Sequence, residues 1–160
     1  MTASKPITKT PGNDKPPKSQ RGSLEFIYMD LLDFATIKAA AQQFLKSKSG
    51  PDGRLDGLFY NAGTGVLANA AKSKQGCEYH FCVNSIGAQL LTRLLMPMLS
   101  KTAARSPKDT VRVVWPASML VEMMSPKDGI RKEFLDNPDS VTDQNELYSS
   151  SKTANWFLAS

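Results

Sequence analysis

Apolar residues recur along this chain in a pattern that predicts alternating strands and helices from Ser23 onward. Short runs of apolar and aromatic residues, bounded by polar or turn residues, predict strands at 25–30, 56–60 and 111–115. Apolar residues at three- and four-residue spacing predict helices at 33–50, 74–99 and 146–160. Strands joined by connections of helical length form right-handed crossovers in a parallel sheet, so the predicted fold class is α/β.

Three details of the pattern refine this prediction. In the last of the three helices the chain ends at Ser160 without a capping residue or a closing strand. The run 125–143 is polar and rich in turn residues, which predicts a loop rather than a further helix. Pro97 is expected to end or kink the second helix because proline lacks the N–H that a helix requires.

The net charge of +5 is concentrated in the first 22 residues, which carry five bases and one acid. The remaining chain has 15 bases and 14 acids, so its folded part is nearly neutral and nucleic acid is not an expected partner. Residues 1–22 contain almost no large apolar side chain, and we expect a disordered basic tail. The folded domain is then expected over 23–160.

Other patterns exclude several classes of protein. No apolar run is long enough to span a bilayer or to form a signal peptide, so a cytoplasmic protein without a membrane span is expected. Cys77 and Cys82 lie five residues apart in a segment predicted as helical, a spacing typical of neither a disulfide nor a zinc pair. We expect reduced, structural thiols and no metal site.

Polar residues or glycine follow each predicted strand, where ligands bind in open parallel sheets. They are Asp30, the segment 61–63 and Ser118. Polar residues also begin ordinary loops, so this placement alone does not separate a binding site from a set of loop starts.

Tyr148 and Lys152 are four residues apart and share one face of the predicted helix. A free phenol loses its proton at about pH 10, and a neighbouring ammonium stabilises the phenolate that a general acid–base step would produce. The spacing suits such chemistry, but with four tyrosines and many lysines in the chain it also occurs by chance.

The order of these features resembles one family. Asp30-Leu31, Asn61-Ala62-Gly63, Asn84 and Ser118 are followed by the segment YSSSKTANWFLAS, which contains Tyr148 and Lys152. Together with SKQGCEYHFCVNSIGAQLLTRLLMPML and VRVVWPASM, they resemble the short-chain dehydrogenases/reductases, in particular the fungal members of the retinol-dehydrogenase-like branch, over residues 23–160. The resemblance implies a Rossmann-type, doubly wound parallel sheet.

The resemblance also implies roles for these residues. Tyr148 would be the catalytic acid–base, Lys152 would favour its ionised form and hold the nicotinamide ribose, and Ser118 would hydrogen-bond the substrate oxygen. Asn84 would anchor a proton-relay water. The cofactor-binding residues would be Asp30 and Leu31 near the adenine, Asn61, Ala62 and Gly63 along the cofactor, and Tyr148 and Lys152 at the nicotinamide end. NADP or NAD would be the cofactor, and the substrate a small lipophilic alcohol or carbonyl compound.

The chain departs from the family pattern at its start. The glycine-rich TGxxxGxG turn that receives the pyrophosphate in this family does not occur in the sequence. We therefore expect an incomplete domain that lacks the first βαβα half-unit and the C-terminal strand, and little cofactor binding. Two smaller departures are Tyr60, where asparagine is usual, and Pro116 inside the third predicted strand.

Three functional interpretations follow. The first is an NAD(P)(H)-dependent oxidoreductase. The second is a truncated, non-catalytic remnant acting as an interaction module, with homo-oligomers formed through the long helices. The third, a nucleotide-sugar epimerase with the same Tyr/Lys pair, is less well matched by the helix segments. His80 is expected to be a packing or solvent residue, and Trp156 a helix-packing residue.

Overall fold

The structure, a computed structural model, describes residues 22–127, 129–137 and 140–160. The predicted disordered tail lies outside these residues except for Gly22. The described α-helices are α1 (Phe34–Ser47), α2 (Tyr79–Phe81), α3 (Gly87–Ala103), α4 (Met119–Met124), α5 (Lys132–Asp136) and α6 (Gln144–Ala159). A π-helix, Cys82–Ile86, joins α2 to α3.

Two strands form the sheet of the described residues. They are β1 (Gly57–Phe59) and β2 (Arg112–Val114), and they pair in parallel with Leu58 opposite Val113. The prediction of parallel strands joined by a helical crossover is confirmed for this pair. Both strands are shorter than predicted, and β2 ends before Pro116, which therefore lies after the strand rather than inside it.

The first predicted strand, residues 25–30, is not a strand in the structure. A strand requires a neighbour for its hydrogen-bond ladder, and among the described residues none pairs with this segment. Its side chains still alternate as in a strand. Ile27 and Met29 line an apolar cavity of about 180 Å³ against α1 and α3, whereas Phe26 is 85% exposed.

Helix α1 begins where the sequence predicted. The Asp33 carboxylate caps it by accepting a hydrogen bond from the Ala35 N–H at 3.0 Å, and it forms an ion pair with Lys74 at 2.6 Å. The pKa of Asp33 lies below its usual value, chiefly because of the hydrogen bond from Lys74. The cap joins α1 to the segment that precedes α2.

The long second helix begins later and ends later than the predicted range 74–99. Residues near Gly76 form a turn instead, since Gly76 has a φ of +79° and its N–H donates to the Ser73 carbonyl. Glu78 then caps the helix through the Phe81 N–H. Pro97 does not end the helix, because it lies inside α3, which continues to Ala103.

The predicted loop 125–143 contains helix α5, which the polar composition did not indicate. Phe134 on α5 is buried in a cluster with Phe81 and Leu147, which packs this segment onto α2 and α6. A larger cluster packs α1 and α3 against β1. Its buried members are Ile37, Ala41, Tyr60, Ala88, Leu91 and Leu95.

Both cysteines are free thiols. Cys77 lies before α2 rather than in a helix, and its thiol donates to the Glu78 carbonyl at 3.5 Å. Cys82 begins the π-helix and donates to the Leu31 carbonyl at 3.1 Å. The interaction of the two thiols raises the pKa of Cys77 and lowers that of Cys82. The Cys82 thiol therefore ties the start of the π-helix to the segment after residues 25–30.

Candidate functional site

Helix α6 positions Tyr148 and Lys152. The Asp143 carboxylate caps the helix through the Asn145 N–H at 2.9 Å, and the four-residue spacing places both side chains on one face. Tyr148 is half-buried, whereas Lys152 is only 6% exposed. The Lys152 Nζ atom lies 6.0 Å from the centre of the Tyr148 ring. The predicted pairing on a helix face is therefore present.

Burial lowers the pKa of Lys152. Removing an ammonium from water costs free energy unless a carboxylate or hydrogen bonds compensate, and in the described residues no salt bridge involves Lys152. Such a lysine retains unused donor capacity and could hold a polar ligand beside the Tyr148 ring.

Asn84 on the π-helix is hydrogen-bonded to the segment after β1 and to helix α6. Its Oδ1 accepts from the Thr64 N–H at 2.9 Å, and its Nδ2 donates to the Ser151 Oγ at 3.0 Å. Ser151 in turn donates to the Tyr148 carbonyl at 2.7 Å. Asn84 is nearly fully buried, so these bonds fix the segment after β1 against α6 at Ser151, the residue next to Lys152.

Gly63 lies against the side chains of Asn84 and Lys152. A Cβ at this position would be 3.1 Å from the Asn84 Oδ1 and 3.4 Å from the Lys152 Nζ. The first distance is tighter than ordinary packing, so the close approach of the backbone here depends on glycine. Residues 61–63 are otherwise exposed and leave their backbone open to solvent.

Ser118 caps α4, and its Oγ accepts a hydrogen bond from the Leu120 N–H at 3.3 Å. Its hydroxyl proton is therefore free to donate to another group. Helix α4 packs on α6 through the Ser125 and Thr153 hydroxyls, which are 2.5 Å apart. Within the described part of the chain, no hydrogen bond joins Ser118 to Tyr148 or Lys152.

Asp30 and Leu31 lie at the turn into α1. The Asp30 Oδ1 accepts from the Leu32 N–H at 2.9 Å, and the Asp30 N–H donates to the Thr36 Oγ1. The Leu31 side chain and carbonyl lie against Gly87, where an added Cβ would be 3.1 Å from the leucine side chain. The structure thus brings Gly63, Asn84, Tyr148 and Lys152 together, whereas Asp30 and Ser118 make their contacts elsewhere.

Two further side chains at this site were not selected from the sequence. His80 is fully buried, with its Nδ1 2.8 Å from the Glu78 Oε1 and its ring edge-on to the Tyr148 ring at 6.4 Å between centres. The sequence signal that could have identified the pair is the spacing of Glu78 and His80 at the start of an apolar helix.

Tyr60, one of the two departures from the family pattern, belongs to the core. Its hydroxyl lies 2.6 Å from the Thr92 Oγ1, and its ring lies 4.6 Å from the Trp115 ring. Burial raises the pKa of Tyr60 to about 12. Its N–H donates to the Val114 carbonyl and extends the pairing of β1 with β2. The tyrosine side chain, which is larger than the asparagine usual at this position, therefore anchors the sheet.

No helix in the described part of the chain has both the length and the hydropathy that a bilayer span requires.

Sequence comparison relates the chain to fungal proteins. It is 36% identical over 144 residues to "Short-chain dehydrogenase/reductase iacJ" of Pestalotiopsis fici, which covers 90% of this chain and 42% of that protein. It is 42% identical over 116 residues to a "Short-chain dehydrogenase/reductase" of Phomopsis amygdali, covering 72% of this chain and 33% of that protein. A third relative, "Short-chain dehydrogenase/reductase sthC" of Phaeosphaeria nodorum, is 36% identical over 144 residues, with coverage of 88% and 44%.

The chain therefore spans less than half the length of these curated relatives. No family model matches it, and no solved structure matches it. All three relatives are named as short-chain dehydrogenases/reductases. The match to two of them covers nearly all of the chain. These similarities support the assignment of the chain to the short-chain dehydrogenase/reductase family.

Proposed function

We propose that this chain carries the proton-transfer part of an NAD(P)(H)-dependent oxidoreductase that interconverts a small lipophilic alcohol and its carbonyl compound. The observation that supports this most strongly is the buried Lys152, which forms no ion pair with any described residue, beside the Tyr148 ring on one face of α6. The printed family of the fungal relatives agrees with it. The incomplete Rossmann-type sheet and the retinol-dehydrogenase-like branch belong to the same proposal.

In the direction of carbonyl reduction, Tyr148 donates its hydroxyl proton to the carbonyl oxygen as the carbonyl carbon is reduced. The Lys152 amine, when protonated, stabilises the phenolate that remains. Ser118 donates its free hydroxyl proton in a hydrogen bond to the same oxygen. In the oxidation direction each proton moves back along the same path. The cofactor, when bound, supplies or accepts the hydride.

The fit of the chain to a nicotinamide cofactor differs between the two ends of that molecule. At the nicotinamide end, the open backbone at 61–63 and the unpaired amine of Lys152 suit a ribose and its hydroxyls. Asn84 keeps one N–H and one lone pair beyond its two hydrogen bonds, enough to hold a relay water. For the pyrophosphate, the sequence contains no glycine-rich turn. Asp30 and Leu31 would flank the adenine.

The test is reduction of a panel of aldehydes and ketones by the purified chain at millimolar NADPH or NADH. We expect weak cofactor binding and slow turnover, because most of the binding free energy for the pyrophosphate would be missing. Tyr148→Phe should lower the turnover about a hundredfold or more, because it removes the transferable proton. Tyr28→Phe, at an exposed tyrosine, is the matched control and should leave the turnover unchanged. Full activity of Tyr148→Phe would refute the mechanism.

A second candidate is a non-catalytic interaction module, and exposed apolar side chains before α1 and on β1 favour it. Leu24 and Phe26 are fully or mostly exposed, and Phe59 is 62% exposed. Exposed apolar side chains of this size are typical of surfaces that other protein covers. Absence of any turnover at millimolar cofactor, together with a homo-oligomer in light scattering that Phe26→Ser dissociates, would favour this candidate over the first.

A further inference from the structure

His80 is completely buried, and both of its ring nitrogens are hydrogen-bonded. Its Nδ1 lies 2.8 Å from the Glu78 Oε1, and its Nε2 accepts a hydrogen bond from the Leu67 N–H at 3.2 Å. A phenylalanine or leucine would fill the same space without needing two polar partners. The two hydrogen bonds instead fix the rotation of the imidazole ring about the Cβ–Cγ bond.

The neighbouring groups also define which nitrogen carries the proton. Burial opposes ionisation of Glu78, but hydrogen bonds from His80 and from the Phe81 N–H outweigh it and lower the pKa of Glu78. The ionised carboxylate accepts, so the His80 Nδ1 donates. The Nε2 must keep its lone pair because the Leu67 N–H donates to it. The ring is thus held as a single tautomer.

The ring fixed in this way packs against Tyr148. It meets the Tyr148 ring edge-on, at an interplanar angle of 81° and a centre-to-centre distance of 6.4 Å. Lys152 lies near the Tyr148 ring as well. His80 therefore contacts the segment after β1 through Leu67 and the tyrosine of α6 through its ring.

We propose that His80, held by Glu78, is a positioning residue that orients the Tyr148 phenol and couples it to the loop at Leu67. This inference rests on the proposed function for the role of Tyr148 in proton transfer. His80 itself transfers no proton to a substrate, because both nitrogens are already engaged. A tilt of the Tyr148 ring would move its hydroxyl relative to the substrate oxygen, and small misplacements of reacting groups lower rates strongly.

The orientation can be measured without any activity. The chain has four tyrosines, so a sample with ¹³C-labelled tyrosine gives four sets of ring signals, and Tyr148→Phe identifies the set of Tyr148. We expect His80→Leu to shift or broaden the Tyr148 signals and to speed hydrogen exchange of the Leu67 amide. The signals of Tyr28 and Tyr60 should stay in place as internal controls. His80→Gln, whose amide can both donate and accept, should restore the Tyr148 signals and the Leu67 protection.

Leu67→Pro provides a second variant, which keeps His80 and removes the N–H donor to its Nε2 at an exposed position. It should also move the Tyr148 signals, and it answers the question even if His80→Leu fails to fold. Unchanged Tyr148 signals in either variant would overturn the proposal, as would a Gln variant that behaves like Leu.

A kinetic measurement links the positioning to the reaction. We expect His80→Leu to lower kcat about tenfold or more, with little change in KM, and His80→Gln to retain most of it. If the unaltered chain reduces no carbonyl compound, the proposed function fails, while the tyrosine signals still decide whether His80 orients Tyr148. If kcat is unchanged in His80→Leu although the signals move, the orientation has no role in proton transfer and the proposal is wrong.

Discussion

Gly63 approaches Lys152 so closely that a Cβ on the glycine would lie 3.4 Å from the lysine Nζ. The same Cβ would lie 3.1 Å from the Asn84 Oδ1, which already accepts the Thr64 N–H. The segment after β1 is therefore positioned by two polar side chains from different helices. This relationship makes the size of residue 63 a sensitive probe of the site.

We expect Gly63→Ala to displace Asn84 or Lys152 and to lower the free energy of unfolding by about 1 kcal/mol. Gly65→Ala is the matched control, because nothing lies within 4 Å of a Cβ there. Urea denaturation of the two variants measures the difference. Equal stability of the two variants would mean that the site accommodates a methyl group at residue 63 without displacement.

Burial of Lys152 is expected to lower the free energy of unfolding, although the proposed reaction requires this side chain. Its pKa is lowered by burial, so the folded protein disfavours the charged amine at neutral pH. Lys152→Met should raise the free energy of unfolding by about 1 kcal/mol and abolish any carbonyl reduction. Lys38→Met, at an exposed position of α1, should change neither.

The size of the gain in stability from Lys152→Met depends on pH. A base whose folded-state pKa is lowered binds fewer protons in the folded state, so stability rises with pH until the lysine is neutral in the unfolded chain as well. The gain from Lys152→Met should therefore be largest at neutral pH and shrink as pH approaches about 10.5, the ordinary value for lysine. A gain that does not change with pH would contradict burial as its cause.

Asn84 is expected to be important for stability as well as for the site. Asn84→Leu leaves the Thr64 N–H without its acceptor and the Ser151 Oγ without its donor, which costs about 1–3 kcal/mol when the groups remain buried. Asn145→Leu, at an exposed position of α6, should cost much less. Chemical denaturation monitored by circular dichroism distinguishes them, and equal losses would show that the Asn84 bonds contribute little.

The sequence predicted those parts of the fold that depend on local pattern. A helix was predicted to begin at residue 33, and the Asp33 carboxylate indeed caps α1. The Tyr148 and Lys152 pair shares a helix face because four residues are about one helical turn. Parallel pairing of β1 with β2 followed from the helical length of the connection between them.

The parts that were wrong depend on contacts distant in sequence. Residues 25–30 have strand composition, but among the described residues no neighbouring strand supplies their hydrogen bonds. Helix α5 forms in a polar segment because Phe134 reaches a cluster on two other helices. His80 is buried, as a packing residue would be, but its bond to the Leu67 N–H could not be predicted because a backbone donor leaves no trace in the residue type.

Tyr60 provides a final prediction, because burial raises its pKa to about 12 while the phenol of an unfolded chain ionises at about 10. The folded state thus holds the Tyr60 proton more tightly than the unfolded state. Its contribution to stability is fully present below about pH 10 and is lost as pH rises from about 10 toward 12, at about 1.4 kcal/mol for each unit of pKa difference. Urea denaturation at a series of pH values from 8 to about 11 should therefore show a steeper loss for the unaltered chain than for Tyr60→Phe. Tyr60→Phe leaves the Thr92 hydroxyl its bond to the Ala88 carbonyl, so it should fold. Parallel losses in the two proteins would show that the phenol ionises equally in both states and that Tyr60 is not sealed in the core.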